Sequence, residues 1–262
     1  MEMNDLVQRI RRTNDYERRI HGAMRMHLTP RMDKWVNDAL PDKYNNNFFA
    51  PLADITAPEI DASVALQRKE NHSGLMIRMQ QRMDEALIRR FGFEEEITDI
   101  MALTDASSAA LWRENPAVTI RDNQQEDMTA AMLDVSTTPP EYRTAALRSM
   151  KQAVQVSKKH PEYHWLFACL DGKPVGSCYI LCRNGVIEMD DLEVHKEYRG
   201  QYIATTLMKH IAHNFEGTFY LHADCAATVH DMYARMGFVT VDTVYDYYLE
   251  WEILPKPSPE SG

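Results

Sequence analysis

The sequence predicts an α/β protein in which a mixed, mostly antiparallel sheet is flanked by helices, built in tandem from two related halves. Three observations point there. From residue 117 onward the patterns run strand, helix, helix, three hairpin strands, helix, strand, helix and two strands. The hairpin strands are joined by Asp171-Gly172 and Asn184-Gly185, dipeptides that tolerate the positive φ of tight turns. Finally, Met232-Tyr233-Ala234-Arg235-Met236-Gly237-Phe238 closes a helix with glycine and opens a strand with phenylalanine. Leu87-Ile88-Arg89-Arg90-Phe91-Gly92-Phe93 does the same earlier in the chain.

Taken in order, residues 5 to 22 read as a helix and Met24 to Leu28 as a first strand. The polar run around Tyr44-Asn45-Asn46-Asn47 interrupts regular structure before Phe48-Phe49 resumes an apolar segment. Ala57 to Lys69 is a helix with Pro58 in its first turn, where a missing N–H costs nothing. Gly74 to Gln80 follows as a strand, Met83 to Arg90 as a helix and Ile97 to Leu103 as a strand. Small and polar residues then lead to Pro116, which blocks helix continuation, so a boundary falls near 104 to 116. The expected units are residues 1 to 108, residues 116 to 252 and a flexible tail from 253 to 262.

In the second unit Ala117 to Arg121 is a strand, and helices follow at 124 to 135 and 140 to 158, the latter entered through Pro139-Pro140. His164 to Leu170, Pro174 to Cys182 and Val186 to Val194 form the meander. A helix runs from 204 to 215, a strand from Thr218 to Ala223, a helix from Thr228 to Met236, and strands from Phe238 to Val241 and Val244 to Trp251.

Composition narrows the function. Twenty-nine Lys and Arg against 39 Asp and Glu give a formal net charge of -10, which disfavours nucleic acid and anionic membranes because both are bound by basic surfaces. The cluster Arg9, Arg11, Arg12, Arg18 and Arg19 is interspersed with Asp15 and Glu17 and reads as a solvated helix face. No apolar run reaches the ~18 residues of a membrane span and the N-terminus is too polar for a secretory signal, so a cytoplasmic location is expected. Cys169, Cys178, Cys182 and Cys225 lack Cys-x-x-Cys spacing and read as reduced core thiols. His210 and His213 have no acidic or Cys partner nearby, and no metal site is expected.

The stretch Val186 to Phe215 organises the rest. An acid-studded strand runs into the turn Tyr198-Arg199-Gly200-Gln201-Tyr202-Ile203, and a helix starts at Ala204-Thr205-Thr206. A tight turn opening a helix presents unpaired N–H groups at the positive end of the helix dipole, a site for phosphate or pyrophosphate.

This turn, with Tyr233 to Phe238 and the element order of 117 to 251, resembles the GNAT superfamily of acyl-CoA N-acyltransferases over about half of the chain. The family signature is Arg/Gln-x-x-Gly-x-Gly/Ala, preceded by Leu-x-Val-x-Pro-x-Tyr. Leu192, Val194, Tyr198, Arg199, Gly200, Ile203 and Ala204 match it, whereas Lys196 replaces the proline and Tyr202 the first signature glycine. Ala226 stands where many members carry an Asn that contacts the cofactor.

The resemblance implies acetyl-CoA as co-substrate. Its pantetheine arm would pair with the backbone of Leu192, Glu193 and Val194. Its pyrophosphate would meet the N–H groups of Arg199, Gly200, Gln201, Tyr202, Ile203, Ala204 and Thr205, with hydroxyl contacts from Thr205 and Thr206. Tyr233 occupies the position of the family's general acid, and a phenol of pKa ~10 suits a departing thiolate. Glu188 falls where some members carry a catalytic glutamate and is the expected base, with Asp190 as its substitute. In plain strand alternation Glu188 and Asp190 share a face with Leu192 and Val194 unless a bulge intervenes.

The expected activity is N-acetyl transfer to a primary amine, small molecule or peptide, by a monomer or homodimer. The acidic strand favours a cationic acceptor. A CoA-sensing or purely structural module is the competing reading, encouraged by Tyr202 and Ala226. The first half has Ile88 in place of Tyr233 and no Arg-Gly turn, so it is expected to be a degenerate copy that binds no acyl-CoA and frames the substrate cleft or a sheet edge.

Overall fold

The computed structural model describes residues 2–40, 47–70, 72–122, 140 and 143–251. The first half consists of α1 (Met3–Ile20), β1 (Met24–Thr29), β2 (Met32–Val36), β3 (Phe48–Pro51), α2 (Ala57–Lys69), β4 (Gly74–Met79), α3 (Glu85–Phe91) and β5 (Glu94–Leu103). The second consists of β6 (Thr119–Asp122), α4 (Arg143–Lys159), β7 (Tyr163–Leu170), β8 (Lys173–Arg183), β9 (Val186–Val194), α5 (Ile203–Asn214), β10 (Thr218–Asp224), α6 (Thr228–Arg235) and β11 (Val239–Glu250).

Local chemistry accounts for several boundaries. Thr56 and Glu59 form a capping box at the start of α2, and the Asp84 carboxylate accepts the Ala86 N–H at the start of α3. Gly92 ends α3 at φ 72°, a left-handed conformation that glycine adopts without steric cost. The two hairpin dipeptides, Asp171-Gly172 and Asn184-Gly185, are left-handed at both residues, as the twist of the flanking strands requires.

All eleven strands belong to one sheet, in the order β1-β2-β3-β4-β11-β5-β10-β9-β8-β7-β6. The halves exchange strands at its centre. β11, from the end of the chain, lies between β4 and β5 of the first half, while β5 lies between β11 and β10 of the second, all antiparallel. The pairs β3–β4 and β9–β10 are parallel, one in each half. Asp99 on β5 strengthens the junction: its carboxylate accepts the Thr240 and Thr243 hydroxyls of β11 and bonds His230 of α6 at 3.0 Å.

The structure corrects several expectations. The segment from 238 to 251 is one strand, β11, with an irregularity between Thr240 and Asp242 where two strands were expected. β2 was not anticipated at all, because Met-Asp-Lys-Trp-Val carries charges at positions that the structure buries: Asp33 takes Arg25 and His27, and Lys34 pairs with Glu70. Arg18 does not belong to a solvated helix face. Its guanidinium is mostly enclosed against the Trp35 and Phe48 rings, whereas Arg9 and Arg11 are half-exposed and pair with Asp5 and Asp242. All four cysteines are free thiols as expected, but Cys225 is exposed rather than buried. The helix expected at 124 to 135 and the tail from 253 lie outside the described residues.

The largest core cluster packs α5 and α6 against one face of the second half's strands and includes Met101, Leu103, Ile187, Met189, Leu207, Ile211 and Tyr233. α1 covers the other face, where Leu6 and Ile10 meet Ile100, Ala102, Val186 and Tyr220. No helix among the described residues is long and apolar enough to cross a membrane.

Candidate active site

β9 and β10 run together in parallel from Val186/Thr218 to Met189/Leu221 and make no paired register beyond that point. The following backbone of β9 therefore has an open edge. His195 N–H donates to the Val175 carbonyl of the β8 side, so by strand alternation Val194 N–H points to the open side. The Val194 carbonyl accepts from Arg199 Nε at 3.2 Å.

A bulge changes which side chains share a face. Ser177 pairs with Glu193 and Tyr179 with Asp190, so Asp191 and Leu192 lie opposite Cys178, and Asp191 has φ 49°. Plain alternation would put Leu192 and Val194 with Glu188. The bulge instead turns them toward the α5/α6 core beside Ile187 and Met189, and leaves Glu188 and Asp190 on the α1 side.

The turn after β9 is built from two left-handed residues, Gly200 (φ 77°) and Tyr202 (φ 59°). Tyr202 is 45% exposed and its hydroxyl accepts from Arg113 Nη1 at 2.9 Å, so its ring lies along the outside of the turn. The N–H groups of Gly200 to Thr205 donate to no described protein group, while Thr206 N–H closes the first turn of α5 on the Tyr202 carbonyl. Thr205 and Thr206 hydroxyls also bond that carbonyl. Six consecutive donors at the positive end of a 12-residue helix fit a pyrophosphate, and the departure at Tyr202 leaves them open.

Gly176 on β8 holds this turn against the sheet. A Cβ there would lie 2.9 Å from the Glu193 carbonyl oxygen and 3.1 Å from Ile203 Cγ2. Gly176→Ala is expected to cost about 1–3 kcal/mol by overpacking, read by chemical denaturation, as both walls of the turn are displaced.

On the α1 side, Glu188 and Asp190 line a cavity of about 430 Å³ between the halves, with walls from α1, β1 to β5 and β9 to β11. Glu188 is only 7% exposed, and its Oε2 has no hydrogen-bond partner among the described residues. Its Oε1 belongs to a network. With the Asn14 amide nitrogen turned toward Glu188, that nitrogen donates to Glu188 Oε1 (3.2 Å) and Tyr220 Oη (2.5 Å), and the amide oxygen accepts His222 Nε2 at 3.2 Å. The Tyr220 hydroxyl in turn bonds Glu188, its direct neighbour across β9 and β10. Burial, reinforced by the carboxylates of Glu17 and Asp190, raises the Glu188 pKa from 4.5 to about 8, against the pull of Tyr220 and Arg18. His222, surrounded by protein yet open to the cavity, has its pKa lowered by desolvation to about 4, so its ring is neutral.

Tyr233 is placed across the sheet, in the α5/α6 core, at 7% exposure and edge-on to Phe238. Its hydroxyl makes no hydrogen bond to the described residues, and burial beside Cys178 raises its pKa, keeping the phenol protonated. Glu188 and Asp190 therefore gather in one cavity, while Tyr233, Leu192 and Val194 belong to the other side of the sheet. The open edge after Met189 lies between them.

Asn14, Arg18, Arg78, Tyr220, His222 and Asp246 were not anticipated at this site. For α1 a signal existed: Leu6, Ile10, Thr13 and Asn14 form its buried stripe, and a polar residue on such a stripe marks a partner inside.

Residues 125–238 match the model of the acetyltransferase (GNAT) family. That stretch of the second half thus matches a GNAT domain, and the chemistry of that class is acyl transfer from acyl-CoA. A functionally unknown conserved protein from Staphylococcus epidermidis ATCC 12228 is similar in structure at 21% identity, with a TM-score of 0.73 over 88% of this chain and 95% of the other. A GCN5-related N-acetyltransferase from Kribbella flavida matches at 14% identity and TM-score 0.58, covering 90% and 93%. A tandem GNAT protein from the clavulanic acid biosynthesis pathway matches at 12% identity and TM-score 0.55, covering 84% and 78%. At these identities the likenesses speak to the fold, a tandem arrangement of two halves. No curated protein matches the sequence.

Proposed function

We propose that the chain transfers an acetyl group from acetyl-CoA directly to a primary amine, with no covalent enzyme intermediate. The observation that carries this is the buried, unpartnered Glu188 oxygen facing a cavity beside the open edge of β9. Acetyl-CoA supplies a thioester when bound. The Gly200 to Thr205 N–H groups would hold its pyrophosphate, and the edge from Leu192 to Val194 its pantetheine arm.

Glu188 accepts the proton of the incoming ammonium, directly or through a water, with Asp190 beside it. Its pKa of about 8 matches a base that works near neutrality and must release its proton again. Val194 N–H, on the open edge, polarises the carbonyl oxygen. Tyr233 protonates the departing thiolate.

Calorimetry with acetyl-CoA and thiol release across a panel of amines test the reading. Tyr233→Phe is expected to lower turnover by about 100-fold with acetyl-CoA affinity retained. Turnover within about threefold of wild type would remove Tyr233 from the acid role, and acetyl-CoA binding without thiol release on any amine would make the protein a sensor.

A further inference from the structure

The cavity wall carries seven carboxylates against four guanidinium groups. Every one of those arginines is ion-paired within the protein: Arg11 with Asp242 (2.9 Å), Arg18 with Asp15 (3.2 Å), Arg25 with Asp33 and Arg78 with Asp246 (2.6 Å). Two of these partners, Asp33 and Asp242, stand outside the lining set, so most of the wall's acids make no salt bridge among the described residues, although Arg18 acts on Glu188 and Arg78 on Glu96 from a greater distance. Glu188, Asp190, Asp224 and Glu96 are among them. Asp224 accepts the Ala226 N–H, and Glu96 meets the Tyr248 hydroxyl.

The surplus is ordered by the sheet. Glu188 and Asp190 lie on β9, Asp224 on the next strand β10, and Glu96 on the one after, β5. Asp224 sits opposite Thr98, and Glu96 is the same-face residue one pair further along. With ~4.8 Å between strands and ~3.3 Å per residue along them, the nearest pair, Asp190 and Asp224, is offset by two residues and so lies roughly 8 Å apart along the backbone, and Glu96 is about 8 Å further on. The Glu188 oxygen without a partner, more than nine-tenths buried, points to an occupant rather than to solvated surface acids. The upward pull of Glu17 and Asp190 on Glu188, which Arg18 does not cancel, shows the same negative potential.

We propose that this cavity takes a flexible aliphatic acceptor with two or more ammonium groups, its reacting nitrogen at Glu188 and Asp190 and its distal ammonium at Asp224 and Glu96. The proposal rests on the acetyl-transfer reading for the word acceptor, but the charge argument concerns binding alone. Zwitterionic amino acids fit poorly, because the arginines that would take a carboxylate are already matched by internal acids.

Binding of 1,4-diaminobutane, 1-aminobutane and 4-aminobutanoate to the full chain, measured by calorimetry with CoA present, is the test. The diamine is expected to bind at least about tenfold tighter than the monoamine, a difference of ~1.4 kcal/mol, with the zwitterion weakest. Asp224→Asn combined with Glu96→Gln brings the diamine-to-monoamine ratio toward one, whereas a merely structural effect would weaken both alike. Equal affinity for diamine and monoamine, or a preference for 4-aminobutanoate, overturns the proposal. Diamine preference without thiol release upholds it while the acetyl-transfer reading fails. Thiol release with 1-aminobutane and no diamine preference does the reverse.

Discussion

Glu188→Gln is expected to lower turnover at pH 8 by about a hundredfold or more, the usual worth of a positioned base, with acetyl-CoA affinity unchanged. In the wild type kcat/KM should rise with pH through a limb near 8, where Glu188 gives up its proton, and that limb should vanish in the variant. Glutamine keeps the shape of the side chain and its contact with Asn14, so a fall in activity without a pH change would mark a structural role instead.

The same substitution should affect stability in the opposite direction. The folded protein holds the Glu188 proton up to about pH 8, whereas the unfolded chain loses it near 4.5. Below 4.5 both states are protonated and the residue costs nothing. Between 4.5 and 8 the unfolded state gains by ionising, so stability declines, by roughly 5 kcal/mol at most once Glu188 is charged in both states. Burial sets this first, with Glu17 of α1 and Asp190 on β9 adding to it and Tyr220 on β10 and Arg18 of α1 opposing it. Glu188→Gln should therefore unfold at higher temperature than wild type at pH 9 and at nearly the same temperature at pH 4.5. A melting difference that does not depend on pH would sink this account.

The second large effect concerns the exchanged strands. A chain cut to residues 116–262 retains the whole GNAT match but loses β5, whose Ile100, Met101, Ala102 and Leu103 are at most 4% exposed in the cores on both faces. Losing the burial of three such large side chains against the remaining strands costs roughly 5–9 kcal/mol, comparable to the whole stability of an ordinary domain. The truncated chain is expected to show no cooperative thermal transition. Residues 1–112 expressed together with 113–262 should recover a stable, CoA-binding complex, since the exchange does not need the intervening peptide bond. A cooperatively folding 116–262 fragment would show that β5 is dispensable.

Much of the second half was legible because its signals are local. Asp171-Gly172 and Asn184-Gly185 specify turns through the φ values their residues tolerate, Gly237 closes a helix, and the Arg199-Gly200 turn announces a helix entry whose donors lie open. The carboxylates on β9 were visible as candidates for the same reason, being neighbours in one strand. Less legible were features that depend on partners distant in the chain. β2 could not be read while Asp33 and Lys34 lacked the ion pairs that permit their burial, and Arg18 looked solvated until Trp35 and Phe48 enclosed it.

By itself, then, the sequence supplied most of the order of elements in the second half, the turn that opens a helix, the family resemblance and the candidacy of Glu188 and Tyr233. The tertiary structure alone decided that the two halves share one sheet by exchanging β5 and β11, that a bulge at Asp191 separates Glu188 from Leu192 and Val194, and that α1 buries Glu188 under Asn14. The physical reason is range. Turn conformation and helix entry are settled within a few residues, whereas strand order, side-chain facing across a bulge and the pKa of a buried carboxylate arise from groups brought together only when the chain has folded.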